Sequence, residues 1–347
     1  MKDGASGRPL GKGRFRTVDL EALEKSLTSL EKKLRAHGFP SPARAGAGVE
    51  KYTNSGHRIF WNINKQLSRG VLGIGAGALN DKLIFSGFAR AAGFRTADIL
   101  GVCTRETFFR PADRMVLQVP EGLSQLEGRV FAKARSGRRG GKGCFIIEAA
   151  NGRLTMEGTP STASEVARRL RSFGAQGAIL ERCITPHAEM KRLYPNSVNT
   201  LRVLTSTLDG PARVVAITQR MGRGSRVVDN SLAGGIYAGV DLESGELVGP
   251  AVSKKKDRYA VHPDTGVAIE GFRPPHLAAV MGECVTLHQV YGHLPTVGWD
   301  IAVGPDGPLI VEGNTYWSAG LHRAFDPTFL YHLALDLDRS DYLTSAG

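Results

Sequence analysis

The chain has 347 residues, 41% of them hydrophobic and 22% charged, which is typical of a folded globular protein and excludes a wholly disordered chain. Lys and Arg number 45 against 33 Asp and Glu, and the formal net charge of +12 suits a phosphate-bearing or polyanionic ligand. The sequence contains no nucleic-acid recognition motif and no run of roughly 18 apolar residues, so we expect neither a nucleic-acid partner nor a membrane span.

The N-terminal region, residues 1–75, is predicted to be mostly helical. Its first residues are polar and basic without an apolar core, and the four cysteines form no CxxC pair. We therefore expect a reduced, cytoplasmic protein. Leucines spaced three and four residues apart predict a helix that ends at Gly38 and packs on the body of the protein. These leucines are Leu20, Leu23, Leu27, Leu30 and Leu34.

Residues 76–180 are predicted to form the first of two further domains. The domain begins with a helix from Asn80 to Ala92 that closes at Gly93. The apolar face predicted for this helix consists of Leu83, Ile84, Phe88 and Ala91. Short apolar runs then predict strands at 129–134, 144–149 and 177–182, with a helix at 163–173.

Residues 181–347 are predicted to form the second domain. The turn signals Asp209-Gly210 and Asp306-Gly307 each indicate a hairpin. The strands of these hairpins are predicted at 199–206, 212–220, 298–304 and 308–313, and a helix is predicted at 274–291. Because the strands come largely in hairpins with helices between the groups, we predict the α+β class.

Two glycine clusters are similar to nucleotide-binding motifs without fulfilling them. Gly73, Gly75 and Gly77 have the spacing GxGxG, whereas a dinucleotide site needs GxGxxG between a strand and a helix. The cluster at 135–143 is similar to a P-loop, but Gly143 follows its lysine where Ser or Thr would bind magnesium. We therefore predict neither a Rossmann domain nor a P-loop site.

The second hairpin brings three oxygen-bearing side chains together. If residues 305–307 form the loop, Asp300 opposes Glu312, and Asn314 lies on the same face two residues further on. A divalent cation would relieve the repulsion between the two carboxylates, and hard oxygen ligands suit Mg²⁺. These residues therefore predict a metal site, with an exposed polar face as the alternative. A two-residue loop would separate the side chains.

A strand that ends at Lys133 is followed by basic residues and glycines. Six basic residues and no acid lie between residues 129 and 142. The backbone N–H groups of Gly140 and Gly141 could cradle phosphate oxygens, and the alternative is a disordered basic tip. Lys82 begins its helix, where its positive charge is unfavourable next to the positive end of the helix dipole. A bound anion and chance placement explain this position equally well.

Two arginines lie in the apolar strands of the first hairpin. A charged side chain is costly in such a strand unless it is paired. One loop register places Thr200, Arg202 and Arg220 on one face, and a slip of one residue separates them. Arginine pairs bind phosphate or carboxylate through bidentate contacts, and structural ion pairing is the alternative.

In their order and spacing, these motifs resemble those of the ATP-grasp superfamily, and specifically the sugar-transfer-associated ATP-grasp family. The resemblance covers roughly residues 78–322. The matching strings are Asn80-Asp81-Lys82, Phe131-Ala132-Lys133, Ile179-Leu180-Glu181, Ser197 to Arg202, Asp229-Asn230, Gly234-Gly235, His262 to Gly266, Gly298-Trp299-Asp300 and Glu312-Gly313-Asn314.

The resemblance implies an ATP-grasp fold, in which two α+β lobes hold ATP between them. The residues that it implies in ATP binding are Lys82, Lys133, Ser136, Gly140, Gly141, Glu181, Arg182, Cys183, His187 and Glu189. The two lysines would contact the phosphates beneath the glycine loop, and residues 181–183 would meet the adenine edge. His187 and Glu189 are alternatives for the ribose.

The resemblance also implies the chemistry. Asp300, Glu312 and Asn314 match the Mg²⁺ ligands, with Mn²⁺ as an alternative ion, and Arg202 and Arg220 match catalytic residues that hold the transferred phosphoryl group. The implied activity is a ligase that joins a small-molecule carboxylate to an amine through an acyl phosphate, with release of ADP and phosphate. These substrates could be sugar-linked or anionic, and a homodimer is a possible assembly.

The N-terminal region departs from the family pattern. Most relatives carry a Rossmann-like domain before the first ATP lysine, whereas residues 1–75 look mostly helical here. The substrates therefore stay open. The alternatives are an ATP-dependent phosphotransferase that acts on a hydroxyl acceptor and a non-catalytic module that binds an anionic ligand.

Overall fold

The computed structural model describes residues 20–36, 74–136, 143–224, 226–230, 233–291, 294–315, 317–323, 325–326 and 329–340. The helices in these ranges are α1 (Leu20–Ala36), α2 (Ile74–Asn80), α3 (Lys82–Ala91), α4 (Val119–Ser124), α5 (Ala163–Arg171), α6 (Ala188–Leu193), α7 (Leu277–Val290), α8 (Ala319–Arg323) and α9 (Phe329–Arg339). None of the described helices combines the length and the apolar character that a membrane crossing requires.

An eight-stranded sheet contains the first group of strands, and all its neighbouring pairs are antiparallel. The strands are β1 (Ile99–Cys103), β2 (Thr107–Arg110), β3 (Met115–Gln118), β4 (Gly128–Ala134), β5 (Cys144–Ala150), β6 (Arg153–Met156), β7 (Thr159–Ser161) and β8 (Ala178–Arg182). They lie in the order β3-β2-β1-β8-β4-β5-β6-β7. One face packs on α4 and α5, where Val130, Leu180 and Leu170 share a core.

A seven-stranded antiparallel sheet contains the remaining strands. They are β9 (Leu201–Ser206), β10 (Arg213–Met221), β11 (Ile236–Val240), β12 (Leu247–Ser253), β13 (Arg258–Tyr259), β14 (Thr296–Gly304) and β15 (Gly307–Asn314). They lie in the order β13-β12-β11-β10-β9-β14-β15. Two antiparallel sheets, each packed on helices, confirm the predicted α+β class.

Helices α2 and α3 precede the first sheet in the chain but pack on the second. Leu79 from α2 and Phe85 from α3 are buried in the core of the second sheet, together with Cys284 from α7. The ring of Phe85 stacks on that of Trp299, with 6.4 Å between the centroids. The second sheet therefore holds the segment in which Lys82 lies.

The apolar face predicted for α3 is wrong. Ile84 and Phe88 are 50% and 37% exposed, whereas Phe85 and Ala89 are buried. The helix begins only after Asp81, whose side chain accepts hydrogen bonds from two N–H groups of the first turn. This helix has two apolar faces. The face with Phe85, whose ring stacks on Trp299, packs against the sheet, and the predicted face does not.

Helix α1 confirms the helix predicted from the N-terminal leucines. Leu30 is fully buried, and Lys33 Nζ lies 3.1 Å from Asp338 Oδ1 on α9, so α1 packs on the body of the protein as predicted. The rest of the predicted N-terminal region, including residues 38–50, whose Pro, Gly and Ala content predicts a linker, lies outside the described residues apart from the start of α2.

A tight glycine turn joins α5 to β8. The N–H of Gly177 donates to the carbonyl oxygen of Gly174 at 3.1 Å, and both residues have positive φ. A Cβ at Gly177 would lie 2.0 Å from the carbonyl oxygen of Cys103, whereas a Cβ at Gly174 would meet nothing within 4 Å. The close approach of the Cys103 carbonyl therefore requires glycine at position 177 but not at position 174.

We predict that Gly177→Ala lowers the free energy of unfolding more than Gly174→Ala. Left-handed strain is expected to cost about 1–2 kcal/mol in each variant. The overlap with backbone in Gly177→Ala is expected to add about 2 kcal/mol. Urea unfolding of both variants measures the difference, and equal losses would contradict a steric role for this turn.

Candidate active site

The hairpin of β14 and β15 carries the predicted metal ligands. Gly304 pairs with Gly307, so the loop has two residues and the predicted three-residue loop is wrong. A β-bulge at Val311 then shifts the register by one residue. Asp300 consequently opposes Glu312, as predicted, although the shorter loop alone would have separated them.

A row of polar side chains crosses the second sheet at this point. Arg202 on β9 opposes Asp300 on β14, and Thr218 on β10 opposes Arg202. The N–H of Arg220 donates to the carbonyl oxygen of Thr200 at 2.8 Å. Thr200, Arg202 and Arg220 therefore share one face, which confirms one of the two registers considered for this hairpin.

Asp300 is the carboxylate that both arginines contact. Nη2 of Arg202 donates to Oδ2 at 2.9 Å, and Nη1 of Arg220 lies 2.9 Å from the same oxygen. Nε of Arg202 is 2.5 Å from Oδ1, but without hydrogen-bond direction, so both atoms lack a hydrogen-bond partner. Burial raises the pKa of Asp300, but the two guanidinium groups outweigh burial and lower the pKa to about 2.

Arg220 has a second carboxylate partner in Asp229. Its Nη2 donates to Oδ1 of Asp229 at 3.1 Å, and Oδ2 accepts from the N–H and the hydroxyl of Thr200 at 2.5 and 2.6 Å. Burial lowers the pKa of Arg220, but the charges of Asp229 and Asp300 outweigh burial and raise it above its ordinary value. Asp229 thus fixes the position of a charged arginine.

Glu312 and Asn314 extend the row to the edge strand of the sheet. Nδ2 of Asn314 donates to Oε1 of Glu312 at 3.2 Å, and the side chain of Glu312 also interacts with Asp300. Nζ of Lys82, in the first turn of α3, lies 3.8 Å from Oε2 of Glu312. The three predicted ligands therefore lie side by side, with a lysine next to them.

The donor set fits a hard divalent cation. Two carboxylates and an amide oxygen are ligands of the type that Mg²⁺ and Mn²⁺ prefer. Oδ1 of Asp300 accepts no hydrogen bond, but Nε of Arg202 lies 2.5 Å from it, so a cation there would take the place of this arginine contact. Within the described ranges, no group of three or more His, Cys, Asp or Glu side chains could hold a metal. The amide of Asn314 and oxygens from a ligand would thus have to complete the coordination.

The first sheet contributes a buried ion pair. Nζ of Lys133 on β4 lies 2.9 Å from Oε2 of Glu181 on β8, and the two side chains are only 8% and 7% exposed. Val130 and Ala132 alternate with Lys133 along β4 and face the core with α4 and α5. The ion pair therefore lies on the opposite face of this sheet.

The two predicted phosphate lysines converge on one region. Cys144 opposes Lys133 across β4 and β5. Burial raises the pKa of the Cys144 thiol, and the charges of both Lys133 and Lys82 act in the opposite direction. Lys82, which packs with the second sheet, thus lies close to the end of β4 on the first.

The start of α3 links the two sheets. The N–H of Lys82 donates to the carbonyl oxygen of Arg135 at 3.0 Å, and Nε of Arg135 lies 2.7 Å from Oδ2 of Asp81. Burial raises the pKa of Asp81, but its hydrogen bonds with Arg135 and the helix N–H groups lower the pKa overall. Ser136 follows and is half-buried, whereas the predicted Gly140 and Gly141 lie outside the described residues.

The segment at the end of β8 contains the residues predicted to meet adenine. The N–H of Arg182 donates to the carbonyl oxygen of Asp98 at 2.8 Å, and the N–H of Cys183 donates to that of Arg129 at 3.0 Å. Both N–H groups are thus engaged within the first sheet. An adenine contact through residues 181–183 stays a prediction.

The two residues predicted as alternatives for the ribose lie at the start of α6. Nδ1 of His187 accepts from the N–H of Glu189 at 3.1 Å and caps the helix. The ring of His187 contacts that of His276 edge to face, with 5.5 Å between the centroids. The Glu189 carboxylate lies 2.9 Å from Nη1 of Arg192. The choice between His187 and Glu189 stays open.

Sequence analysis missed two residues around the site. Asp81 directly precedes an apolar helix, and an Asp at this position is an N-cap signal that could have identified its role at the start of the helix. His322 on α8 is 3% exposed, and its Nδ1 lies 2.9 Å from Oγ1 of Thr218, 104 residues earlier in the chain. No local pattern reveals a contact over such a sequence distance.

A family model described as sugar-transfer associated ATP-grasp matches residues 75–331. The chain belongs to this ATP-grasp family. The matched range contains every predicted site residue, from Lys82 to Asn314. The resemblance inferred from the sequence motifs is thereby confirmed. We found no match to the chain among curated protein sequences.

Three solved structures are similar to this ATP-grasp chain at low identity. L-amino acid ligase from Bacillus licheniformis is 12% identical with a TM-score of 0.43, over 76% of this chain and 48% of the ligase. D-alanine–D-alanine ligase from Bacillus anthracis, complexed with ATP, is 13% identical with a TM-score of 0.44, over 79% and 70%. A RimK-domain ATP-grasp protein from Sphaerobacter thermophilus is 12% identical with a TM-score of 0.43, over 93% and 96%. The chain thus spans about half the length of the L-amino acid ligase.

We predict that Asp300→Asn destabilises the protein more at neutral than at acidic pH. The substitution leaves two buried arginines without the charge that they share. Because the folded-state pKa of Asp300 is depressed to about 2, the stability from its charge is present above the unfolded pKa and is lost as the pH falls through the folded pKa.

The difference in unfolding free energy between wild type and Asp300→Asn should be about 1 kcal/mol smaller at pH 3 than at pH 7. Urea unfolding at both pH values measures it. A difference that does not change with pH would contradict the ion pairing described for Asp300.

Proposed function

We propose that this ATP-grasp protein is an ATP-dependent ligase that joins a carboxylate to an amine. The observation that carries the proposal is the continuous row of Arg202, Asp300 and Glu312 across three adjacent strands, continued by Asn314 and flanked by Lys82. The row places oxygen donors for a cation directly beside cationic groups for a phosphoryl group. Ligation through an acyl phosphate needs both kinds of group at one point.

ATP would bind between the two sheets, with its phosphates at the corner where α3 meets β4. Lys82 and Lys133 would contact the phosphates, and the hydrogen bond from the N–H of Lys82 to the carbonyl oxygen of Arg135, two residues after Lys133, supports this placement. Ser136 begins the loop, with Gly140 and Gly141, that would cover the phosphates. Glu181, Arg182 and Cys183 would meet the adenine, and His187 or Glu189 would bind the ribose.

Asp300, Glu312 and Asn314 would hold Mg²⁺, or Mn²⁺ in its place. When bound, the ion neutralises charge on the phosphate oxygens. Lys82 lies next to Glu312 and would add a positive charge on the same side. The buried arginines supply the remaining cationic groups of the site.

The reaction would proceed in two steps. An oxygen of the substrate carboxylate bonds to the γ-phosphorus as the bond from that phosphorus to the bridging oxygen breaks, and ADP leaves. The amine nitrogen then bonds to the acyl carbon, the bond from that carbon to the phosphate oxygen breaks, and the nitrogen loses a proton to the leaving phosphate. Arg202 and Arg220 would bind the phosphoryl oxygens and then the tetrahedral oxyanion.

The substrates would be a small-molecule carboxylate and an amine, either sugar-linked or anionic. The formal net charge of +12 supports an anionic substrate, because a basic protein attracts anions at long range. A screen that pairs carboxylates with amines and detects both ADP and phosphate would identify them.

We predict that Glu312→Ala lowers ATP turnover at least about 100-fold, because it removes one of two carboxylates from the metal site. Thermal unfolding should stay close to that of wild type, since Glu312 is half-buried at an edge strand. Glu246→Ala is the matched control. Glu246 pairs with Arg273 away from the row, so its loss should leave turnover unchanged.

Two results would contradict the proposal in different ways. Full turnover in Glu312→Ala would remove the metal assignment while leaving ATP binding intact. Formation of ADP together with a phosphorylated product and no free phosphate would identify a phosphotransferase. Release of phosphate in equal amount to ADP, dependent on both substrates, is the result that we expect.

A further inference from the structure

Helix α8 places a buried histidine over the polar row of the second sheet. Nδ1 of His322 lies 2.9 Å from Oγ1 of Thr218, and Thr218 opposes Arg202 in the strand pairing. His322 is 3% exposed. The imidazole therefore covers the site face of the sheet at the strand next to Arg202.

The second ring nitrogen of His322 has no hydrogen-bond partner in the described part of the chain. A buried polar atom without a partner is costly and uncommon in native structures. If Nδ1–H donates to Thr218, Nε2 carries a lone pair, because a hydrogen bond at one ring nitrogen fixes the tautomer. Burial first and the charge of Arg202 second lower the pKa of His322 to about 3, so the ring is a neutral acceptor.

Arg202 and Arg220 differ in what they can do when Asp300 takes a cation. Arg220 also bonds to Asp229, so it keeps one carboxylate partner. Among the described residues, Asp300 is the one carboxylate within ion-pair distance of Arg202. A cation bound to Asp300 would therefore leave Arg202, unlike Arg220, without a carboxylate partner among the described residues.

Gly298 lies directly beside the guanidinium of Arg202. A Cβ at Gly298 would lie 3.2 Å from Nη1 of Arg202 and 2.9 Å from Cβ of Trp317. The guanidinium therefore lies against the backbone of β14 and close to Trp317, which precedes α8 and His322 in the chain.

We propose that His322 is a positioning residue, whose Nε2 accepts a hydrogen bond from Arg202 when a divalent cation binds Asp300. This inference rests on the proposed function, since it assumes the metal site at Asp300. The exchange holds Arg202 over the site, where it can face the phosphoryl group, while Asp300 turns to the cation. His322 thus couples cation binding to the orientation of an arginine.

The coupling can be measured as ADP binding in the presence and absence of Mg²⁺. Isothermal titration of the full chain with ADP is carried out in Mg²⁺ and in EDTA. His322→Leu should weaken ADP binding about ten- to hundredfold in Mg²⁺ and leave it unchanged in EDTA, because the hydrogen bond to a charged group forms only with the cation. His322→Gln places a neutral amide oxygen near the Nε2 position and should restore binding in Mg²⁺.

His332→Leu is the matched control. His332 also has an unpartnered Nε2, but it lies on α9 near Asp336, which is not a residue of the polar row. This variant should bind ADP like wild type in both conditions. Where His322→Leu does not fold, Thr218→Val removes the hydroxyl that orients the ring and should show the same dependence on Mg²⁺ to a smaller degree.

Equal weakening of ADP binding in Mg²⁺ and EDTA, or no weakening in either, would overturn the positioning role while leaving the proposed function intact. Failure of His322→Gln to restore binding would also overturn it. If wild type binds no ADP in either condition, the proposed function fails first and the positioning role falls with it.

Discussion

Asp300 pairs with two arginines on the second sheet, and the rest of the candidate site is arranged around this contact. Neither guanidinium could stay buried at this point without a carboxylate. Backbone pairing fixes Arg202, Asp300 and Glu312 in one row, so their relative positions follow from strand register. Thr200 and Asp229 complete the arrangement by holding the second arginine. The site is therefore organised by main-chain geometry before any ligand binds.

Each of the two sheets carries an ion pair that is largely shielded from solvent. Lys133 and Glu181 form a buried ion pair on the first sheet, as Arg202 and Asp300 do on the second. Each pair lies on an apolar sheet, where a charged group stays buried only because its partner compensates for lost hydration. Lys82 stands between them, bonded through its main chain to the first sheet and through its side chain to the second.

Sequence patterns predicted the strands that carry the site better than the strands around them. Apolar runs identified β4, β5 and β8 and both long hairpins, whereas β1, β2 and the short edge strands gave no usable alternation. The opposition of Asp300 and Glu312 was predicted from the wrong loop, and the bulge at Val311 compensated for the error. A bulge depends on the neighbouring strand and has no local signal. The burial of Phe85 in place of Ile84 was likewise decided by tertiary packing against Trp299.

The corner formed by α3 and β4 limits how the two lobes can separate. Phe85 anchors α3 in the core of the second sheet, while Lys82 and Asp81 tie its first turn to Arg135 on the first. The chain also bonds to the second sheet just before β1, where the N–H of Ile310 on β15 donates to the carbonyl oxygen of Arg95 at 2.8 Å. A rotation of one lobe against the other would keep both contacts only if its axis passed close to them.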